Sequence, residues 1–305
     1  MLSSKVVKQL ALSIGFDDCG IASAEAMPQF AQELTQWLAE GGNASMRFME
    51  QHTEKRADPR QLVPGAKSII SVVLGYRPSQ TLSQVPRIAQ YAYLEDYHTV
   101  IKRMLFALIA AIREHEPDFV AKPCVDTVPI SDKLWAWRAG LGWIGRNTML
   151  VHPVLGTYCY IGALVTPYTV DEYDNPLPNR CGTCRRCLDA CPNHALRYDV
   201  ERGTVRLDAN CCASYHTIEN RDSQLPANLK LSGYAFGCDV CQLACPCNSD
   251  APVRQLVSAQ RLQELQMLPS LSAEAFAQAT KGSAMSRISF AQWQRNLRHL
   301  DEQNG

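Results

Sequence analysis

Apolar residues recur at helical spacing over residues 3–14, where Val6, Val7, Leu10, Leu12 and Ile14 precede Gly15. The pattern predicts an amphipathic helix that Gly15 stops. Residues 30–40 read as a second helix, ended by Gly41 and Gly42. The run KSIISVVL, residues 67–74, is rich in β-branched side chains, follows Pro64-Gly65 and ends at Gly75. It reads as a buried strand. Residues 97–115 place Val100, Ile101, Met104, Leu105, Leu108, Ile109 and Ile112 on one side of a long helix. Residues 157–166, TYCYIGALVT, read as a further strand. The segment DNPLPNR, residues 174–180, is turn-rich and predicts a linker, with a domain boundary near residue 175. From about residue 251 the pattern is helical again, with Lys281, Arg287, Arg295 and Arg298 as its cations. Such cations suit a solvated helical face as well as an RNA contact.

Composition narrows the setting. A chain of 305 residues, 46% hydrophobic, can hold two domains or one large domain with an insert. Formal net charge is zero, so any nucleic-acid contact must use a local basic patch. The N-terminal apolar stretch soon meets Asp17 and Asp18 and lacks a signal-peptide core; no stretch approaches the length of a membrane span. The expectation is a cytoplasmic protein with no membrane partner.

Cysteine spacing brings in chemistry. Cys181, Cys184, Cys187 and Cys191 precede Pro192 at the intervals with which bacterial ferredoxins hold [4Fe–4S] clusters. Cys238, Cys241 and Cys245, followed by Pro246, supply three more thiols, and Cys211-Cys212 stand upstream. The sum allows eight ligands and two clusters. Paired CxxC motifs also bind structural zinc, and thirteen cysteines could form a secreted disulfide scaffold. Clustering at ferredoxin intervals argues instead for a reducing compartment. The segment 176–250 is short, so bound clusters would act as its core.

The segment 125–148 resembles the core motif of the epoxyqueuosine reductases, which complete the queuosine modification of tRNA. It contains Asp126-Thr-Val-Pro129, Lys133, Arg138, Gly140, Gly142-Trp143, Gly145-Arg146 and Asn147. Further stretches match in order: Arg56 to Ser68, Asp96-Tyr97-His98 at a helix start, Cys212 to Glu219, and Gly282-Ser283-Ala284 with Arg287 and Arg295-Asn296. Two departures occur. Gln90-Tyr91-Ala92 stands where the family usually has Arg-Tyr-Ala, and Leu94-Glu95 precedes Asp96 where many members have glycine. Many members also continue into a helical-repeat extension, so the resemblance is to a short form.

The resemblance implies an α/β (α+β) architecture. A cobalamin-binding domain, nitroreductase-like and similar to reductive dehalogenases, would span 1–175. A two-cluster ferredoxin-like domain would span 176–250, and a helical segment, 251–305, would pack on the rest. It implies an oxidoreductase that reduces epoxyqueuosine to queuosine at the anticodon wobble position. Its cofactors would be two [4Fe–4S] clusters and cobalamin, cycling between cob(II)alamin and cob(I)alamin. Its partners would be the tRNA anticodon loop and a low-potential donor such as flavodoxin or ferredoxin, with the chain a monomer.

The resemblance points to Asp126 as general acid. A carboxyl beneath a corrin would be desolvated and stay protonated. Cofactor contacts would come from Arg56, Tyr97, His98, Asp126, Lys133, Trp143 and Asn147. His98 is followed by Thr-Val-Ile rather than by the glycine of the Asp-x-His-x-x-Gly motif, so it is not expected as cobalt's lower ligand. Gly140, Gly142 and Gly145 permit either close approach of a flat ligand or a tight helix-to-strand turn. One cluster would take Cys181, Cys184, Cys187 and Cys245. The other would take Cys191, Cys238, Cys241 and Cys212, the last chosen over Cys211 from its family position. Tyr215, Arg185, Arg186 and Arg287 are candidate RNA contacts. Two other readings stay open: a dehalogenase-like reductase of a small molecule, and a non-catalytic electron carrier.

Overall fold

The computed structural model describes residues 2–200 and 203–304. Four antiparallel strands form the main sheet, in the order Asp18–Ser23, Ser68–Gly75, Cys159–Thr166 and Lys122–Cys124. The 68–75 strand lies inside the sheet with helices on both faces. That explains its unbroken apolar run, in which Ile69, Ile70, Val72 and Val73 are fully buried. On one face Ile70, Val72 and Leu164 pack against the helices Ser4–Ile14 and Tyr97–Arg113 through Val7, Ala11, Ile101, Leu105 and Leu108. Gly162 makes room for the long helix: a Cβ there would stand 2.5 Å from Ile101 Cγ2. On the other face Ile69, Ala163 and Val165 meet Trp135 of the helix Asp132–Arg138.

The pattern-based elements match closely. The first helix ends at Gly15, whose φ of +109° is left-handed and whose N–H bonds back to the last turn. The second helix is Pro28–Ala39, two residues early, because Pro28 suits a first helical turn. The strands Asp18–Ser23 and Lys122–Cys124 are additions. Both are short and begin on charged residues, so periodicity does not reveal them.

Beyond residue 180 the chain builds two cores. A small one gathers Cys187, Leu188 and Leu196, with Cys241 packed against it. A larger one joins Leu82, Ile88, Ala92 and Tyr93 to Leu231, Phe236, Phe276, Met285 and Trp293. The strand Tyr234–Phe236 pairs in parallel with Arg87–Ile88. The tail thus shares its core with the 82–94 loop, which runs into the Tyr97 helix. Arg295 is buried and donates to the carbonyls of His216, Asn220 and Asp222. It is a strut of this core rather than a surface cation. No helix among the described residues is long and apolar enough to cross a membrane.

Candidate active site

The helix Tyr97–Arg113 opens with Asp96 as its cap: Asp96 Oδ1 accepts the His98 N–H at 2.9 Å. The same oxygen lies 2.7 Å from His98 Nδ1. On the other side of the ring, Nε2 lies 3.1 Å from Asp126 Oδ2, which also accepts from Tyr97 Oη at 2.9 Å. Two carboxylates thus face one imidazole, and a doubly protonated ring satisfies both. Burial lowers the pKa of His98, but the bonds to Asp126 and Asp96 outweigh it and the net direction is upward. With both nitrogens so engaged, His98 has no lone pair for a metal.

Asp126 follows the strand Lys122–Cys124 in a loop where its φ is +46°, a left-handed value costly for a residue with a Cβ. Asp132, the first residue of the next helix, holds that conformation by accepting the Asp126 N–H on Oδ2 at 2.8 Å. Asp132 had no prior signal; an acid at a helix start reads only as dipole chemistry. Burial pushes its carboxyl up to about 7, the Asp126 N–H opposes this, and the nearby Asp126 charge adds to it.

In this arrangement Asp126 is a hydrogen-bonded acceptor. Its side chain is 65% exposed, and the bonds from His98 and Tyr97, opposed by partial desolvation, hold its carboxyl below the ordinary range. The pair holds its proton on His98. Behind it runs a column of rings: His98 stacks on Tyr97 at 4.0 Å, Tyr97 on Tyr160 at 5.0 Å, and Tyr160 on Tyr76 at 4.5 Å. The column fixes Tyr97, and burial with the adjacent Asp126 charge raises its pKa, keeping the phenol a donor.

Of the other candidate contacts, Arg56 bears on this centre through charge, while Lys133, Trp143 and Asn147 belong to the Asp132–Arg138 helix and the turn after it. Arg56 donates to the Phe48 carbonyl at 2.9 Å and feels the charges of Asp126 and Asp132. Lys133 Nζ donates to the Thr148 carbonyl at 2.8 Å. Trp143 and Asn147 are buried in the turn after the Asp132–Arg138 helix. The glycines there serve that turn: a Cβ on Gly142 would meet the Val151 carbonyl oxygen at 2.4 Å, and one on Gly145 would meet Asn147 Oδ1 at 2.7 Å. Arg56 Nε, Trp143 Nε1 and Asn147 Nδ2 are buried donors without partners, as is the acceptor Asp132 Oδ1. A ligand rich in peripheral amides fits such a set, because each orphan costs free energy until it is paired.

The cysteines fall into two neighbourhoods. Cys187 and Cys245 both feel Cys181, and Cys187 also feels Cys184. Cys238 and Cys241 feel Cys212 and Cys191, and Cys212 in turn feels Cys191; the groups touch where Cys241 also feels Cys187, and Cys212 feels its neighbour Cys211 as well. Cys211 Sγ turns away, toward Asp208 at 3.7 Å and Arg197 at 3.8 Å. Among the described residues no three such side chains converge tightly enough to chelate a single ion. Burial first, then the neighbouring thiols, raises the pKa of Cys238 to about 12. Thiolates gathered in this way repel one another unless a cationic group lies among them, which suits an iron–sulfur cluster.

Two candidate RNA contacts face inward or are paired. Tyr215 is buried with its hydroxyl 2.6 Å from Ser45 Oγ, and Arg287 makes two 2.9 Å bonds to Glu219. Arg287 instead bears on Asp126 through its charge. Arg185 lies 3.7 Å from Asp189, and Arg186 is exposed.

Comparison with known proteins places this arrangement. Residues 56–127 match the family model Epoxyqueuosine reductase QueG, DUF1730, and residues 180–248 match the 4Fe-4S double cluster binding domain. An epoxyqueuosine reductase of Leadbetterella byssophila is 37% identical over 98% of each chain. The structure of epoxyqueuosine reductase from Streptococcus thermophilus superposes with a TM-score of 0.84 at 29% identity, covering 98% of this chain and 81% of that one. Another epoxyqueuosine reductase, crystallised with an epoxyqueuosine-modified tRNA-Tyr stem loop, gives 0.81 at 28% identity over 98% and 80%. The first model spans the cap, the imidazole and Asp126, the second spans the cysteine neighbourhoods, and the likeness runs the length of the chain: it belongs to the epoxyqueuosine reductase family.

Proposed function

We propose that this chain reduces epoxyqueuosine to queuosine at the wobble position of a tRNA anticodon. In this reading residues 1–175 carry the reaction, 176–250 carry two [4Fe–4S] clusters, and 251–305 pack on both. The observation that carries it is the exposed Asp126 side chain, whose Oδ2 accepts from two donors, Tyr97 Oη and His98 Nε2, in a family whose members act on this base. The relative crystallised with a modified stem loop supports RNA as substrate.

The reaction consumes two electrons and two protons; the epoxide oxygen leaves as water and an alkene remains. Cobalamin, when bound, supplies a strongly reducing, nucleophilic centre. Arg56, Trp143 and Asn147 would hold its amides through their unpaired donors, with Lys133 beside them. Asp126 would meet the epoxide-bearing cyclopentane ring. As substrate and cofactor exclude water, the carboxylate becomes more basic, and the His98 Nε2 proton can pass to Asp126 Oδ2 and on to the leaving oxygen. Asp96 stabilises the charge on the ring. Cys181, Cys184, Cys187 and Cys245 would hold one cluster, and Cys191, Cys212, Cys238 and Cys241 the other. Electrons would come from a low-potential carrier such as flavodoxin or ferredoxin, with the chain acting as a monomer.

The test is anaerobic reconstitution with iron, sulfide and cobalamin, followed by turnover of epoxyqueuosine-containing tRNA with a low-potential reductant. Cobalamin-dependent conversion establishes the reading. Eight irons and bound corrinoid without conversion would point to a small-molecule reductase. Eight irons without corrinoid binding would leave an electron carrier.

A further inference from the structure

The outer face of the Tyr97–Arg113 helix borders a cavity of about 450 Å³ that adjoins the reacting centre at His98 and extends beyond it. His98 lines it at the reacting end, and Lys102 and Phe106 follow on the same helix. Pro123 of the strand Lys122–Cys124, and Val125 and Val128 of the loop that carries Asp126, line it as well. The helical rise puts Phe106 about 12 Å along the axis from His98. Phe106 is 52% exposed. A single exposed phenylalanine carries no meaning alone. This one lies in a concave site, two turns from the imidazole that holds Asp126, and a lysine stands between them. Arg103, also at the cavity, is tied to Glu95 by bonds of 3.0 and 3.3 Å. Lys102 is exposed and has no ion pair among the described residues.

We propose that this cavity receives a nucleotide flanking the reacting one, its base stacked on Phe106 and its phosphate met by Lys102. The proposal rests on the RNA reading of the site. Stacking suits the geometry because every base offers a π-face, and the exposed Phe106 ring stands with the apolar side chains of Pro123, Val125 and Val128, to which Thr99 and Thr127 add two hydroxyls. A flanking base anchored there would fix the register of the loop, so that the modified ring arrives at Asp126.

The test uses the reconstituted full chain and an anticodon stem-loop RNA carrying 2-aminopurine next to the wobble base. Phe106→Ala should raise Kd by about 5- to 150-fold, the range set by one base–aromatic stack. It should also relieve quenching of the fluorophore in the complex, and Phe106→Tyr should restore both. Lys102→Ala should lower the slope of log K against log salt by about one. Unchanged affinity and quenching in Phe106→Ala would overturn the subsite, as would a wild-type chain that does not bind the RNA. Turnover of epoxyqueuosine tRNA, followed in parallel, separates the two ideas. Conversion together with unchanged affinity and quenching in Phe106→Ala sinks only the subsite; stacking without conversion sinks only the reductase reading.

Discussion

The backbone N–H of Asp126 lies 2.8 Å from the carboxylate Oδ2 of Asp132. Through this one bond the start of a helix holds the reacting aspartate in a left-handed conformation that its own side chain disfavours. Asp132 is thus a positioning residue. Asp132→Ala should lower kcat by about 10- to 100-fold, the scale expected when a reacting group is misplaced by an ångström. Asp132→Asn keeps an acceptor and should recover most of the rate. The pH dependence tells positioning from plain destabilisation. Burial raises the Asp132 carboxyl to about 7, so its contribution to stability is full below the unfolded value near 3.8 and is lost as pH rises through about 7. The Asn variant, measured by thermal unfolding, should lack that decline.

Asp126→Asn removes the proton carrier and leaves the shape. Turnover should fall by about 10²- to 10⁴-fold, the range of general acid catalysis, while the visible spectrum of the clusters is unchanged. Retained activity would exclude Asp126 from proton transfer.

His98 sets an alkaline limb. Its pKa lies above 6.5, because the bonds to Asp126 and Asp96 outweigh the opposing effect of burial. The ion pair is intact below that pKa and lost as pH rises through it, so kcat should decline on the alkaline side. His98→Gln should lower the rate and abolish the limb in a pH profile of kcat. A limb that survives the substitution would move the ionisation elsewhere.

Much of this was legible in the chain, for identifiable reasons. Strand 68–75 reads as buried because both of its faces are covered, and Gly15 ends its helix through local backbone geometry. The cysteine runs are legible because cluster ligands recur at short, fixed intervals. Asp132 was not legible: its role depends on a bond to the backbone of a residue whose positive φ no glycine announces. Arg295 reads as a surface cation until three carbonyls are seen around it. The state of Asp126 depends on two donors 28 and 29 residues upstream, brought there by folding.

Arg295 makes that difference measurable. Arg295→Ala would leave the buried carbonyl of His216 without its Arg295 donor, at about 1–3 kcal/mol, would leave Asn220 with Gln292 Nε2 as its remaining donor, and would return the exposed Asp222 carbonyl to water. Thermal unfolding should show a large loss, while RNA affinity measured below the transition should hold. A loss of affinity without a loss of stability would return Arg295 to the RNA surface.

The paired adjacent cysteines offer the sharpest contrast. Cys212 lies within electrostatic reach of Cys191, and Cys238 and Cys241 both feel it, whereas Cys211 turns to Asp208 and Arg197. Cys212→Ala should reconstitute with about four irons in place of eight, since a cluster lacking one of four thiolates is labile. Cys211→Ala should keep all eight. Iron and sulfide analysis of the two variants, prepared side by side, reads the outcome directly. Eight irons in Cys212→Ala with four in Cys211→Ala would exchange their roles and require the 208–212 turn to rearrange around the cluster.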